Sequence, residues 1–219
     1  MRKTLCYAYR KIIMGDVGLL LSGAVLFLNS MMLMGKADGK SVAILNLLVG
    51  ALQVIVPFYL IVVSDQQHWT IYTNASIFLF GLTYLYLGIT ILWNLENNGL
   101  GWFSIWVSII ALVYSVIAYI HFKDPVNALT WLLWAFLWFL FYLANTRKMN
   151  IQVFIGKVGF VQSWVTLTIP ALASLTGAAL EPVYQTVWFY VLLASIVSFV
   201  VFFLQGKGKR FRSTDTIHN

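Results

Sequence analysis

The sequence predicts an all-α polytopic membrane helix bundle with six to seven transmembrane helices. Three observations carry that reading: an extreme apolar composition, unbroken apolar runs of spanning length, and charges confined to the short stretches between them. Of 219 residues, 61% are hydrophobic and 10% charged, with a mean hydropathy of +0.85. Soluble domains hold about 45–50% apolar and about 25% charged residues. A soluble fold of this length has too little interior to bury so much apolar surface. A transmembrane barrel would show strands of about 10 residues alternating apolar and polar. The runs here are continuous and roughly twice as long.

A helix needs about 20 mostly apolar residues to cross a bilayer, and seven stretches meet that requirement: Val17–Met34, Val42–Val63, Thr70–Trp93, Leu100–Ile120, Ala128–Asn145, Val158–Leu180 and Val183–Leu204. The first is closed by GKADGK, the second by SDQQHW and the third by NLENNG. HFKDP closes the fourth and NTRKMN the fifth, and the Glu181–Pro182 pair divides the last two. These connections carry turn and charge signals and are too short to fold alone, so the chain reads as one unit. Pro57 in the second span and Pro170 in the sixth each withhold a backbone donor, freeing carbonyls locally.

The formal charge of +7 would suggest nucleic acid in a soluble chain. Its distribution removes that reading. Between Met14 and Leu204 six basic and six acidic residues cancel; the excess lies in residues 1–13 and in the tail, KGKRFR. Lys and Arg are enriched in cytoplasmic loops. The first, third and fifth connections and the tail hold nine basic residues, and the opposite side holds Lys123 apart from the N-terminal extension. This places the N-terminus outside and the C-terminus in the cytoplasm. The basic extension, residues 1–13, opposes that orientation. Met14-Gly15-Asp16 reads as a natural start, with the extension dispensable, residues 14–205 as the membrane domain and 206–219 as a basic cytoplasmic tail able to meet anionic lipid. Cys6, the single cysteine, lies in the extension and cannot form an intramolecular disulfide.

No Asp, Glu, Lys, Arg or His lies mid-span, which argues against a proton-coupled pump or a charge-lined ion pore. No nucleophile–base pair, His/carboxylate cluster or metal-ligand set appears, so catalysis and a cofactor are not expected. The buried polar residues are neutral: Ser22, Asn29, Asn46, Gln53, Thr83, Gln162, Ser163, Thr166 and Thr168. Each suits an interhelical hydrogen bond; as a set they suit a narrow path for an uncharged, hydrogen-bonding solute. Trp131, Trp134 and Trp138 share one face of the fifth span, while Phe80 and Tyr84 stack one turn apart in the third, near Tyr86. Spacing alone favours core packing for these rings. Small residues recur at Gly18/Ser22/Gly23, Gly81/Gly88 and Gly156/Gly159, where helices can approach closely. His68 and His121 read as solvated loop residues.

The blocks VGLLLSGAVLFLNSMMLMGKADGKSVAILNLLVGALQ, FLFGLTYLYLGI, WLLWAFLWFLFYLAN and GKVGFVQSWVTLTIPA, in this order, resemble the AmiS/UreI family of bacterial urea channels and amide transporters. The resemblance covers most of Met14 to about Leu180. It implies a multi-pass protein of the bacterial cytoplasmic membrane that passes urea or short aliphatic amides passively. The family's protomers each enclose a pore and assemble as a homo-hexamer, with a functional link to a cytoplasmic amidase or urease. Carried over by motif, an aromatic constriction falls on Phe80, Tyr84, Trp134, Leu137 and Trp138. An outer constriction falls on Leu19, Leu26 and Asn29. The resemblance thus reassigns the aromatic stripes from packing to pore.

Three departures follow from the same comparison. Gln162 stands where the acid-gated urea channel has a carboxylate, and remains a candidate for the solute path. The second connection is short, with one histidine, so strong acid gating is not expected. A seventh span, Val183–Leu204, follows the six of that channel, as in the longer amide-transporter branch. The competing expectation is a seven-helix sensor or interaction protein that docks partners through its basic tail.

Overall fold

The computed structural model describes the backbone of residues 2–215 and the side chains of residues 15–205. It consists of α1 (Arg2–Leu33), α2 (Gly39–Val62), α3 (His68–Leu92), α4 (Asn98–Ile120), α5 (Pro125–Asn145), α6 (Gln152–Gln162), a π-helical segment (Ser163–Thr168), α7 (Ile169–Leu175), a 3-10 turn (Ala178–Leu180) and α8 (Pro182–Asp215). Among the described residues, seven helical stretches are long and apolar enough to cross a membrane, with α6, the π segment and α7 joined as the sixth. The expectations about residues 1–13 and the tail from Gly206 concern side chains outside the described residues.

Six of the seven spans begin and end within three residues of the stretches read from hydropathy. The sixth is displaced: it runs from Gln152 to Leu175, not Val158 to Leu180. Hydropathy starts a span after its last charge, whereas helical hydrogen bonding already runs from Ile155 N–H to Ile151 O at 2.9 Å. Lys157, expected to precede the span, therefore lies inside it. Its long stem lets the ammonium reach 5.3 Å from the Phe202 ring centre. At the other end Gly177, at φ 81°, breaks the helix before Leu180.

The short connections have definite chemistry. Asp38 Oδ1 accepts the Ser41 N–H at 3.1 Å and caps α2; Asp124 Oδ1 accepts the Asn127 N–H at 2.9 Å and caps α5, with Pro125 in its first turn. The end of α1 closes by paired bonds, Lys36 N–H to Met31 O at 2.8 Å and Gly35 N–H to Met32 O at 2.9 Å, with Gly35 left-handed at φ 72°.

The helices pack as an α2–α3 pair and an α4–α5 pair, with α1 lying against α2, α6, the π segment and α7. The last span, α8, packs on α5, α6 and the π segment. Close approach depends on missing side chains. A Cβ at Gly81 would stand 2.9 Å from the backbone C and O of Gln53, and one at Gly23 would strike Thr168 Oγ1.

Polarity is inverted relative to a soluble protein. Leu48 is 60% exposed and Phe58 64%, whereas Asn46, Gln53, Gln162 and Ser163 are buried. Hydrocarbon offers no hydrogen bonds, so these amides and hydroxyls pair inside. Asn29 Nδ2 donates to Asn46 Oδ1 at 3.1 Å, and Asn46 Nδ2 returns to Asn29 Oδ1 at 2.7 Å, a reciprocal clasp between α1 and α2. Gln53 Nε2 donates to Gly18 O at 2.7 Å and to the Ser22 hydroxyl. Replacing Asn46 by Ala is expected to cost about 1–2 kcal/mol, because both amide groups of Asn29 are left without this partner. Thermal denaturation in detergent reads the loss, and Asn29→Ala added to Asn46→Ala should recover part of it.

Candidate functional site

Two cavities lie along the bundle. The wider, about 350 Å³, opens at the end where α1 and α3 begin its span, and Leu19, Ser22, Tyr72, Tyr114, Asn127 and Trp131 help to line it. The narrower, about 40 Å³, lies toward the other end and is bounded by Leu26, Asn29, Tyr84, Leu137, Trp138 and Phe141 among others. Phe80 and Trp134 line both and form the wall between them.

The wall follows from helix periodicity. Trp131, Trp134 and Trp138 occupy one face of α5, and all three are buried. Phe80 from α3 meets them: its ring centre is 4.7 Å from Trp134, edge to face, and 5.0 Å from Trp138. The indoles of Trp134 and Trp138 are each fixed by their own N–H. Trp138 Nε1 donates to Thr83 Oγ1 at 3.2 Å, and Trp134 Nε1 donates to Thr166 Oγ1 at 2.9 Å. Toward the wide cavity the rings continue without a break. Trp131 lies 4.8 Å from Trp134 and stacks on Tyr114 at 4.5 Å; Tyr114 stacks on Tyr72 at 4.2 Å. Trp69 follows at 5.4 Å and stacks on His121 at 4.0 Å. A chain of aromatic contacts, stacked at Trp131–Tyr114–Tyr72 and at Trp69–His121 and edge to face at Trp134–Trp131 and Tyr72–Trp69, thus runs from the rim to the wall.

The structure brings Phe80, Tyr84, Trp134, Leu137 and Trp138 together, and adds Leu26 and Asn29 to the same narrow cavity. Leu19 is separated from Leu26 and Asn29 and lines the wide cavity instead. Seven residues keep Leu19 and Leu26 on one helix face but put them about 10 Å apart along the axis, on opposite sides of the wall. Gln162 lines neither cavity. Its Nε2 donates to Leu133 O at 2.9 Å, behind Trp134, while its Oε1 is buried without a partner among the described residues. Asn29 keeps little capacity for a solute, since Asn46 engages its oxygen and one N–H. The Tyr84 hydroxyl reaches Ser22 O only at 3.4 Å. Tyr86 leaves the group and faces Phe103, with a ring-centre distance of 6.2 Å.

Thr83, one of the neutral polar residues picked out above, lines the narrow cavity, and three further lining residues escape the sequence reading: Ser104, Tyr72 and Tyr114. Ser104 and Thr83 line the narrow cavity and donate to carbonyls one turn back, Leu100 O at 2.7 Å and Leu79 O at 2.6 Å, so each hydroxyl's remaining capacity is as an acceptor. Nothing in their spacing distinguishes them from other membrane hydroxyls. Tyr72 and Tyr114 sit on different helices, so only packing joins them. Asp16 also lines the wide cavity, where its Oδ2 accepts the Ser174 hydroxyl at 2.6 Å.

Membrane-length helices packed around two cavities define a polytopic membrane protein. The chain belongs to the AmiS/UreI family of transporters, whose family model matches residues 14–178. It is a multi-pass protein of the bacterial inner membrane and not an enzyme. A protein of Rhodococcus erythropolis, named as transporter AmiS2, is 43% identical over 165 residues, which cover 75% of this chain and 80% of that protein. A Mycolicibacterium smegmatis protein named for transport of amidate substrates is 38% identical over 75% of this chain and 78% of its own length. The urea channel of Helicobacter pylori in its closed state superposes with a TM-score of 0.69 at 26% identity, covering 74% of this chain and 98% of that one. The seventh span, Pro182–Gln205, lies beyond the residues that match the family model.

Proposed function

We propose that this protein is a passive channel for urea or short aliphatic amides, with one path in each protomer. The observation that carries this reading is the pair of cavities meeting at the Phe80–Trp134 wall. Urea and acetamide are planar, neutral and rich in hydrogen-bonding groups. Ring faces supply flat walls along which such solutes slide. The hydroxyl oxygens of Thr83 and Ser104 accept N–H donors in place of water. The narrow cavity is lined by neutral side chains, which compensate no ion for dehydration, so ammonium is rejected. Contacts of this kind are weak enough to let the solute leave.

In this reading the wide cavity faces the outside and the narrow one the cytoplasm, following the distribution of Lys and Arg. Six protomers form a ring in the bilayer, and the solute is delivered to a cytoplasmic amidase or urease. The path is not strongly gated by acid. The short connection from Val63 to Gln67 and the neutral Gln162 support this, since neither supplies a titrating cluster.

Stopped-flow swelling of proteoliposomes with urea, acetamide, glycerol and ammonium at two pH values tests the reading. Urea or acetamide should enter well above the rate of empty liposomes at both pH values, while ammonium should not. No flux of either amide sinks the proposal, and strong activation by acid sinks the ungated path.

A further inference from the structure

We infer that Trp188, on the seventh span, is a positioning residue for the wall between the two cavities. The inference rests on the proposed channel function for its selectivity readout. Its structural basis is a carbonyl that the sixth span cannot satisfy by itself.

The π segment shifts the backbone hydrogen bonds of the sixth span by one residue. The Ile169 N–H donates to Trp164 O, five residues back. The Val165 carbonyl therefore loses its ordinary helical partner, Ile169, and in the π register it should receive the N–H of residue 170. That residue is Pro170, which has none. An unpaired carbonyl inside a bilayer is costly. The indole of Trp188 supplies the missing donor: its Nε1 donates to Val165 O at 3.1 Å. Trp188 is half-buried, and Tyr184 stacks on it at 5.3 Å with ring planes 8° apart, which holds the indole in place.

The same π segment holds the wall. Thr166, next to Val165, donates its hydroxyl to Gln162 O at 2.7 Å, and the hydroxyl oxygen accepts the Trp134 N–H at 2.9 Å. Gln162 grips Leu133 O, one residue before Trp134. On the opposite side, Thr168 donates to Ser163 O at 2.7 Å, directly over Gly23 of α1. The bulge is thus clamped between α1 and α8, and its register decides where Thr166 presents its oxygen. A bond from α8 to Val165 fixes the angle of the Trp134 ring without touching the solute. π-bulges occur often at functional sites; here one links an outer helix to the aperture.

The test is Trp188→Phe, which keeps an aromatic ring and deletes the N–H, measured alone and with Pro170→Ala. The alanine restores a backbone N–H at the position that faces Val165 O. In Trp188→Phe the propionamide-to-urea permeability ratio should rise about three- to tenfold, because one hydrogen bond no longer holds the register. Hydrogen–deuterium exchange of the peptide covering residues 160–172 should rise with it. In the double variant both readouts should return toward those of Pro170→Ala alone. An unchanged ratio and unchanged exchange in a correctly assembled Trp188→Phe overturns the inference. So does an equal response in the Pro170→Ala background, which assigns the effect to ring packing. If Trp188→Phe fails to assemble, rescue by Pro170→Ala supports the bond, and failure to rescue overturns it. A wild type that passes no amide defeats the channel reading, and the exchange measurement still decides the role of Trp188.

Discussion

Trp134→Ala is expected to raise the propionamide-to-urea permeability ratio about tenfold or more, the scale on which a fitted apolar site discriminates a single methylene. Trp134 forms one side of the wall, and Phe80, at 4.7 Å, forms the other. Removing the indole joins the 350 Å³ and 40 Å³ cavities and removes the step that excludes a longer amide. It also frees Thr166 Oγ1, which becomes an additional acceptor inside the path. The loss of a buried Trp should cost about 3 kcal/mol of stability, so the assembly must be checked by size-exclusion chromatography before flux is read. Trp134→Phe separates the two effects. It keeps a ring beside Phe80 but loses the bond to Thr166, and should change selectivity less than alanine does. An unchanged ratio in an intact Trp134→Ala assembly removes the wall as the selectivity barrier.

Gly81→Ala should be the most damaging of the small substitutions. Alanine is ordinarily favoured over glycine in a helix by about 1 kcal/mol, so the expected sign depends on packing. The added Cβ would meet the backbone C and O of Gln53 at 2.9 Å, and backbone cannot rotate away. On the facing helix, Gly50 has the same constraint, with Leu85 N at 2.9 Å and Gly81 O at 3.0 Å. Relief requires α2 and α3 to separate. That shift carries Gln53 away from Gly18 O and the Ser22 hydroxyl, which loosens α1 as well. Overpacking of this kind costs about 1–3 kcal/mol, and the thermal midpoint in detergent should fall accordingly. Gly18→Ala is the control, since its Cβ would meet only Gln53 Nε2 at an ordinary 3.6 Å. Equal midpoints for the two variants would defeat the argument.

The positions of the spans were legible because each helix must cross the same hydrocarbon thickness, and that length is written directly in hydropathy. The sixth span was misplaced because a lysine with a long stem can enter a spanning helix while its charge interrupts the hydropathy. Part of the site was legible for the same geometric reason. A spacing of three and four residues puts Trp131, Trp134 and Trp138 on one face in any α-helix. What faced them was not legible. Phe80, Thr83 and Thr166 come from two other helices, and no local pattern states which hydroxyl receives which indole.

The π segment was legible only in part: Pro170 announced a missing donor, but not the register shift before it or the indole that compensates from α8. Asn29 shows the converse. Its place beside the expected path came from the family resemblance, whereas its pairing with Asn46 depends on where α2 lies. Periodicity and hydropathy act along the chain, so a membrane body of six to seven helices, its aromatic faces and its uncharged mid-spans could be read from the residues alone. Tertiary structure alone decided that Phe80 and Trp134 divide two cavities, that Leu19 and Leu26 lie on opposite sides of that wall, and that the seventh helix reaches Val165. Those are contacts between helices, and they are set by close packing at small residues and by the pairing of polar groups that lipid cannot solvate.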